Sequence, residues 1–254
     1  MSQSTWTQSG SASSRVRLEL TAWRVVESRA VSATRRLVDS DEEQRVLDEL
    51  IDRAEPRGAP DLEGLHPLLA APFRHPPSSG GSRFASVIAR GVLYAARELP
   101  TALGDAAYGL LLFRAGTAAR LGSLLSQHTA FQVSLKSAWS VDLTRPPFTA
   151  HARRLASRTD YAATQQLGRE LRDAGIQLAL YEAARDPERR TAVAVFSPAA
   201  LASSRPLPHA QEWRCCADDE RCELRRVAVD LGPTLTVRRA DLLVGGVLPV
   251  PGVG

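Results

Sequence analysis

The stretch that decides how this sequence folds consists of Pro72-Phe73-Arg74-His75-Pro76-Pro77, Gly81-Ser82-Arg83-Phe84, Gly91-Val92-Leu93-Tyr94 and Thr101-Ala102-Leu103-Gly104-Asp105-Ala106-Ala107-Tyr108. It predicts a loop, a short strand over residues 92–95 and a helix that begins at Pro100 or Thr101. Across these elements lie Arg83, Tyr94 and Asp105. A guanidinium binds phosphates bidentately, a phenol combines a flat face with a polar tip, and a carboxylate stabilises developing positive charge. These three residues are therefore candidate functional residues.

Outside this stretch, short apolar strands and amphipathic helices follow one another without regular βαβ alternation. Strands are predicted over residues 20–26, 131–135, 176–181 and 191–196, with a hairpin between 211–217 and 222–229. Ser40 and Glu43 form a capping box that starts a helix reaching Ile51, and Gly175 ends a helix over 160–174. This pattern predicts an α+β fold of short, mostly antiparallel strands with inserted helices.

The domain organisation follows from composition along the chain. Residues 1–18 are rich in Ser, Thr and Gln and are predicted to be a disordered leader, residues 19–230 a single domain, and residues 231–254 an irregular tail. Residues 56–81 are dense in Pro, Gly and Ser and are predicted to form one long irregular loop of functional importance. A chain of 254 residues is long enough to bury a sizeable core.

The charge balance narrows the classes of ligand. The net charge of +4 comes from arginine, because Lys136 is the only lysine. Such a balance fits a nucleotide, an acidic protein or, least well, a nucleic acid, since no basic run with interleaved aromatic residues occurs. We find no secretory signal and no apolar run of membrane-spanning length, so no membrane association is expected.

The three cysteines indicate a reducing compartment, because Cys215, Cys216 and Cys222 cannot all pair within the chain. We therefore expect the protein in the cytoplasm. Together with His209 they are also conceivable zinc ligands. However, adjacent residues on a strand point to opposite faces, so Cys215 and Cys216 would not share a metal. Inert thiols and no metal are the expectation.

Several motifs occur in a fixed order: Trp23-Arg24-Val25-Val26, Asp39-Ser40-Asp41-Glu42-Glu43-Gln44, the loop 73–84, the segment 94–108, Asp142-Leu143-Thr144 with Pro146-Pro147, Leu171-Arg172-Asp173-Ala174-Gly175, and the segment 181–187. In this ordered set the chain resembles the RES-domain family, the toxin halves of bacterial toxin–antitoxin modules. The resemblance runs from about Trp23 to about Val229. It implies an ADP-ribosyltransferase-like fold and NAD as a substrate, cleaved between nicotinamide and ribose by hydrolysis or phosphorolysis. It also implies a small helix-turn-helix antitoxin as partner.

The resemblance assigns roles to particular residues. Arg83 corresponds to the arginine of the family's Gly-Arg-Trp loop, and Tyr94 corresponds to its tyrosine. Asp105 stands where the family has a glutamate, whose side chain is one methylene longer. We expect Arg83 to clamp the diphosphate, Tyr94 to contact nicotinamide or ribose, and Asp105 to stabilise the ribosyl cation. Arg74 and Arg185 are secondary candidates for phosphate contact.

The family's serine position is occupied by Ala183, in Tyr181-Glu182-Ala183-Ala184-Arg185. A serine on a neighbouring loop could supply a hydroxyl instead, whereas Glu182 is expected to point to the opposite face of its strand. These departures leave two alternatives open beside NAD cleavage: a pseudoenzyme that binds NAD or a protein partner without turnover, and an ADP-ribosyltransferase acting on a macromolecule.

Overall fold

The computed structural model describes residues 14–28, 60–75, 80–117, 122–227 and 232–250, together with residues 6, 40, 42, 43, 46 and 77. The strands are β1 (Arg15–Glu27), β2 (Leu93–Ala96), β3 (Leu124–Asp142), β4 (Leu178–Glu182), β5 (Thr191–Val195), β6 (Gln211–Ala217), β7 (Arg221–Arg226) and β8 (Thr234–Arg238). The helices are α1 (Pro67–Arg74), α2 (Leu99–Ala115), α3 (Ala152–Leu155), α4 (Ala162–Asp173) and α5 (Arg239–Leu242). Single 3₁₀ turns lie at Pro60–Leu62, Phe148–His151 and Pro198–Ala200.

All eight strands belong to one sheet, in the order β1-β2-β5-β4-β3-β6-β7-β8. Because β1 pairs with both β2 and β3, the first five strands in that order close on themselves, and β6, β7 and β8 extend the sheet from β3. Every pairing is antiparallel except that of β3 with β4. The predicted α+β class with mostly antiparallel strands is confirmed.

Most elements predicted from local pattern are present. The strands predicted over 20–26, 131–135, 176–181 and 191–196 lie within or overlap β1, β3, β4 and β5, and the hairpin is formed by β6 and β7. Gly175 ends α4 with φ +73, and Ile176 N–H donates to the Leu171 carbonyl at 2.8 Å. Glu43 N–H donates to Ser40 Oγ at 3.2 Å, as a capping box requires. Residues 42, 43 and 46 are helical, and the rest of that predicted helix lies outside the described residues.

Three predictions about irregular segments need correction. Residues 67–74 form α1, because Pro67 suits the first helical position, His66 Nδ1 accepts from Leu68 N–H, and a buried face including Leu69 and Phe73 stabilises the helix. The tail predicted as irregular contains β8 and α5; its period-two burial from Thr234 to Arg238 is that of a strand. β1 begins at Arg15, inside the predicted leader, because Arg15 pairs with Val141.

Buried residues cover both faces of the central strands. Ala179 and Tyr181 on β4 join a cluster with Phe84 and α4, whereas Leu178 and Leu180 join a second cluster with α1 on the opposite face. A third cluster packs α2 against β6 and β7. As a result, the end of β4 lies between two packed layers.

Helix α4 packs closely against the loop 81–85 at Gly168, where an added Cβ would lie 2.0 Å from the Phe84 carbonyl oxygen. We expect Gly168→Ala to lower the free energy of unfolding by about 1–3 kcal/mol, because neither backbone can move without repacking the core. Urea denaturation measures this change. Gly109→Ala on α2, where an added Cβ meets nothing within 4 Å, is the matched control and should stabilise the protein slightly. Equal effects of the two substitutions would contradict the packing argument.

Candidate active site

A cleft of about 260 Å³ opens where the loop 81–85, β2, α2 and the end of β4 meet. Its lining consists of Gly81, Ser82, Arg83, Tyr94, Asp105, Tyr108, Tyr161, Tyr181, Ala183, Ala184 and Arg185. Five of the six residues proposed from the sequence, all except Arg74, therefore line one cleft.

The loop that carries Arg83 is held as a tight turn. Ser82 and Ala85 exchange backbone hydrogen bonds of 2.7 and 3.3 Å. Gly81 has φ +74, and an added Cβ would lie 2.7 Å from the Ala85 carbonyl oxygen, so the turn requires glycine. Phe84 is fully buried with its ring edge-on to Tyr181, 5.0 Å between centroids. The turn is therefore anchored in the core on one side and faces the cleft on the other.

Tyr94 supports this turn from β2. Its hydroxyl accepts a hydrogen bond from Phe84 N–H at 2.9 Å and lies 2.9 Å from Ser82 Oγ. The two hydroxyls carry two protons, and one of these forms the hydrogen bond between them. The other hydroxyl proton takes no part in the bonds described here. Burial raises the pKa of Tyr94, so the phenol stays protonated at neutral pH. The Ser82–Tyr94 pair can thus offer one donor to a ligand in the cleft.

Arg83 directs its guanidinium into the protein. Nη1 donates to the carbonyls of Leu155 and Ser157, each at 3.0 Å, and Nη2 donates to the hydroxyl of Tyr161 at 3.4 Å. The guanidinium also lies over the Tyr161 ring, 4.5 Å from its centroid. The side chain is buried and joins the turn to the segment 155–161. Nη1 thus has both of its protons on backbone carbonyls, so the expected bidentate grip on a diphosphate would have to use Nε and the remaining Nη2 proton.

Arg185 is the more available cation in the cleft. Its Nη2 donates to the Tyr161 hydroxyl at 2.6 Å, and its guanidinium stacks on the Tyr108 ring at 3.7 Å. Among the described residues, the hydroxyls of Tyr161 and Tyr108 are the hydrogen-bond partners of this guanidinium, which has five N–H donors. Desolvation opposes its charge, but Tyr161, Tyr108 and Asp105 raise the pKa of Arg185 overall. Two aromatic contacts hold this permanent charge in place with donors left for an anion.

Asp105 supplies the negative charge of the cleft from the first half of α2. Asp105 lines the cleft and is exposed to solvent. Desolvation raises the pKa of Asp105, and Asp186 adds to the effect, while Arg185 and Arg83 oppose it. A carboxylate that lines a cleft in this way interacts with a positive charge brought next to it.

The end of β4 fixes which residues after Tyr181 reach the cleft. Ala183 lines the cleft, whereas Glu182 points to the other face and pairs with Arg189 at 3.3 Å, as its place on the strand predicts. Ala183 brings no hydroxyl to the cleft, but Ser82, which lines the same cleft, does. Arg74 lies at the end of α1 and does not line the cleft, because the segment before it is helical rather than a loop.

Sequence reasoning missed the aromatic part of the site, Tyr108, Tyr161 and Tyr181. Tyr108 lies three residues after Asp105 on α2, one turn along the same helix face, and that spacing was a usable signal. Tyr161 precedes α4, far from the other residues in sequence, and no local pattern singles it out.

The metal-ligating side chains and the helices of the described residues bear on two further kinds of site. No group of three or more His, Cys, Asp or Glu side chains there is arranged to hold a metal. Cys215 and Cys222 are buried with sulfurs 3.0 Å apart, while Cys216 on the other face is half-buried. None of the helices in the described part of the chain is both long and apolar enough to cross a membrane.

Comparison with known proteins gives one finding that bears on the site. The family model for the RES domain matches residues 56–218, more than half of the chain. The match includes all residues that line the cleft and ends before β8 and α5. No curated protein matches the chain.

Proposed function

Because the chain belongs to the RES-domain family, whose members are generally toxins that act on NAD, we propose that it depletes NAD by cleaving the bond between nicotinamide and ribose. The observation that supports this most is the convergence of Asp105, Arg185 and four tyrosines on one cleft. The cleavage is hydrolysis or phosphorolysis: a water or phosphate oxygen bonds to ribose C1′, and nicotinamide leaves with the electron pair.

The cleft residues suit this reaction. As the glycosidic bond breaks, positive charge builds on the ribose ring, and Asp105 stabilises that charge. The free donors of Arg185 bind the diphosphate. The tyrosine rings provide a flat, apolar surface for the nicotinamide ring. In this arrangement Arg83 positions Tyr161, and through it Arg185, instead of contacting the diphosphate directly.

The direct test is to incubate the purified protein with NAD, with and without inorganic phosphate, and to follow nicotinamide release by chromatography. We expect release in at least one condition. A requirement for phosphate identifies phosphorolysis. Unchanged NAD at high protein concentration would contradict the proposal.

The rate should depend on pH through Asp105. The catalytic form is the carboxylate and desolvation raises the pKa of Asp105, so the rate of nicotinamide release should rise with pH as Asp105 ionises. Initial rates between about pH 4 and 8 measure this profile. The residual rate of the Asp105→Asn variant should not show this rise with pH, because asparagine does not ionise. A wild-type rate that does not change across this range would count against the assigned role.

We also propose a cytoplasmic location, where NAD is plentiful, and a small helix-turn-helix antitoxin as the neutralising partner. Both rest on what is general in the family. Co-purification with the product of an adjacent small reading frame, followed by loss of NAD cleavage in the complex, tests the partner.

One observation favours a second candidate function, a pseudoenzyme that binds NAD without cleaving it. Ala183 offers no hydroxyl to the cleft, and Asp105 is shorter than the family's glutamate. Calorimetry distinguishes the two, because a pseudoenzyme binds NAD and releases no nicotinamide. The double variant Asp105→Glu with Ala183→Ser should then gain activity, and a variant that stays inactive contradicts this explanation.

A further inference from the structure

A second cavity, of about 210 Å³, adjoins the cleft. The two share Asp105 and Arg185 in their linings, so they meet at these side chains. The far wall of the second cavity is formed by Leu235 and Val237 of β8 and by Asp241 and Leu242 of α5.

This wall lies beyond the residues that match the RES-domain family, yet it is fixed to the cleft. Arg158 Nε donates to the Ala184 carbonyl at 2.9 Å, and its Nη1 donates to the Asp241 carbonyl at 3.2 Å. The Tyr108 hydroxyl donates to the carbonyl of Pro249. Leu242 and Leu248 are buried in the cluster that contains α2. The C-terminal segment is thus built onto the same helix and loop that carry Asp105 and Arg185.

The polar groups of the second cavity fall into two kinds. Asp186 accepts from the Thr101 hydroxyl, and Arg190 pairs with both Asp186 and Glu188, so these charges are already compensated. In contrast, no described residue hydrogen-bonds or pairs with the Asp241 carboxylate. The exposed Asp241 therefore remains an open acceptor beside the apolar side chains of Leu235, Val237 and Leu242.

We propose that this second cavity binds the adenosine half of NAD, with the diphosphate at Arg185 and the Asp241 carboxylate accepting hydrogen bonds from the ribose hydroxyls. The inference rests on the proposed function. A dinucleotide is two nucleosides joined by a diphosphate, and the protein offers two adjoining cavities with a guanidinium where they meet. The apolar wall suits the purine, and a carboxylate is the usual acceptor for a ribose diol.

The experiment compares Asp241→Asn with wild type on NAD and on nicotinamide mononucleotide, which lacks the adenosine half. Asparagine keeps the shape but weakens the hydrogen bonds, so the ratio of kcat/KM for NAD to that for the mononucleotide should fall about tenfold. Glu63→Gln removes an exposed carboxylate elsewhere on the surface and should leave the ratio unchanged. An unchanged ratio in Asp241→Asn would overturn the proposal.

A binding measurement keeps the inference separate from catalysis. AMP should bind the wild-type protein in calorimetry, and about tenfold more weakly to Asp241→Asn. If NAD is not cleaved but AMP binds in this Asp241-dependent way, the proposed function fails and the adenosine site stands. If NAD is cleaved and AMP does not bind even at millimolar concentration, the proposed function stands and the adenosine site fails.

Discussion

Replacing Asp105 by asparagine is expected to lower the rate of nicotinamide release from NAD about 100- to 1000-fold. The amide has the size of the carboxyl group but no charge, so it fills the same place in the cleft without stabilising the ribosyl cation. Single-turnover rates at saturating NAD measure the effect on the chemical step directly.

The loss should not come from unfolding. The pKa of Asp105 is higher in the folded protein than in the unfolded chain. Protonation of Asp105 therefore stabilises the fold fully at a pH below the unfolded-state pKa, and this contribution is lost as the pH rises through the folded-state pKa. At neutral pH asparagine therefore removes an unfavourable charge, and the variant should be at least as stable as wild type. Asp105→Glu, which restores the family residue, should keep activity within about tenfold. An asparagine variant with full activity would remove Asp105 from the mechanism.

Replacing Arg83 by alanine is expected to lower the free energy of unfolding by about 3–5 kcal/mol. The substitution leaves the buried carbonyl of Leu155 and that of Ser157 without their donors, and it removes the contact between the guanidinium and the Tyr161 ring. Urea denaturation monitored by tyrosine and tryptophan fluorescence measures the change.

Arg154→Ala is the matched control, because Arg154 is exposed on the same helix as Leu155 and its loss should change stability by less than about 0.5 kcal/mol. The comparison also separates two roles. If Arg83→Ala leaves stability unchanged but raises KM for NAD, the guanidinium serves the diphosphate and the positioning role is wrong.

Local patterns predicted most of the secondary structure because they reflect local physics. The turn at Gly175, the cap at Ser40 and the alternation of β3 each depend on neighbours in sequence. The closure of the first strands through β1 could not be predicted, because it depends on a register between strands far apart in the chain. α1 was missed because Pro67 and Pro72 are typical of loops unless buried residues on one face compensate for them.

The site was also predictable only where short stretches of sequence carry its signal. Arg83, Tyr94 and Asp105 were found from motif and residue chemistry, and they line one cleft, as does Arg185. The hydrogen-bond partners of these residues could not be predicted, because they depend on which backbone groups the fold brings near each side chain. The donors of Arg83 end on Leu155 and Ser157, which carry no signal in sequence since any residue has a carbonyl.

The strand order has a consequence during synthesis. A ribosome releases the chain from its N-terminus at about 5–20 residues per second, so β1 emerges well before β3, the strand with which it forms its long ladder. The cleft draws on residues as late as Arg185, and the cavity beside it on β8 and α5. A nascent chain therefore cannot complete the cleft before Arg185 has left the exit tunnel, and it cannot complete the neighbouring cavity before β8 and α5 have followed.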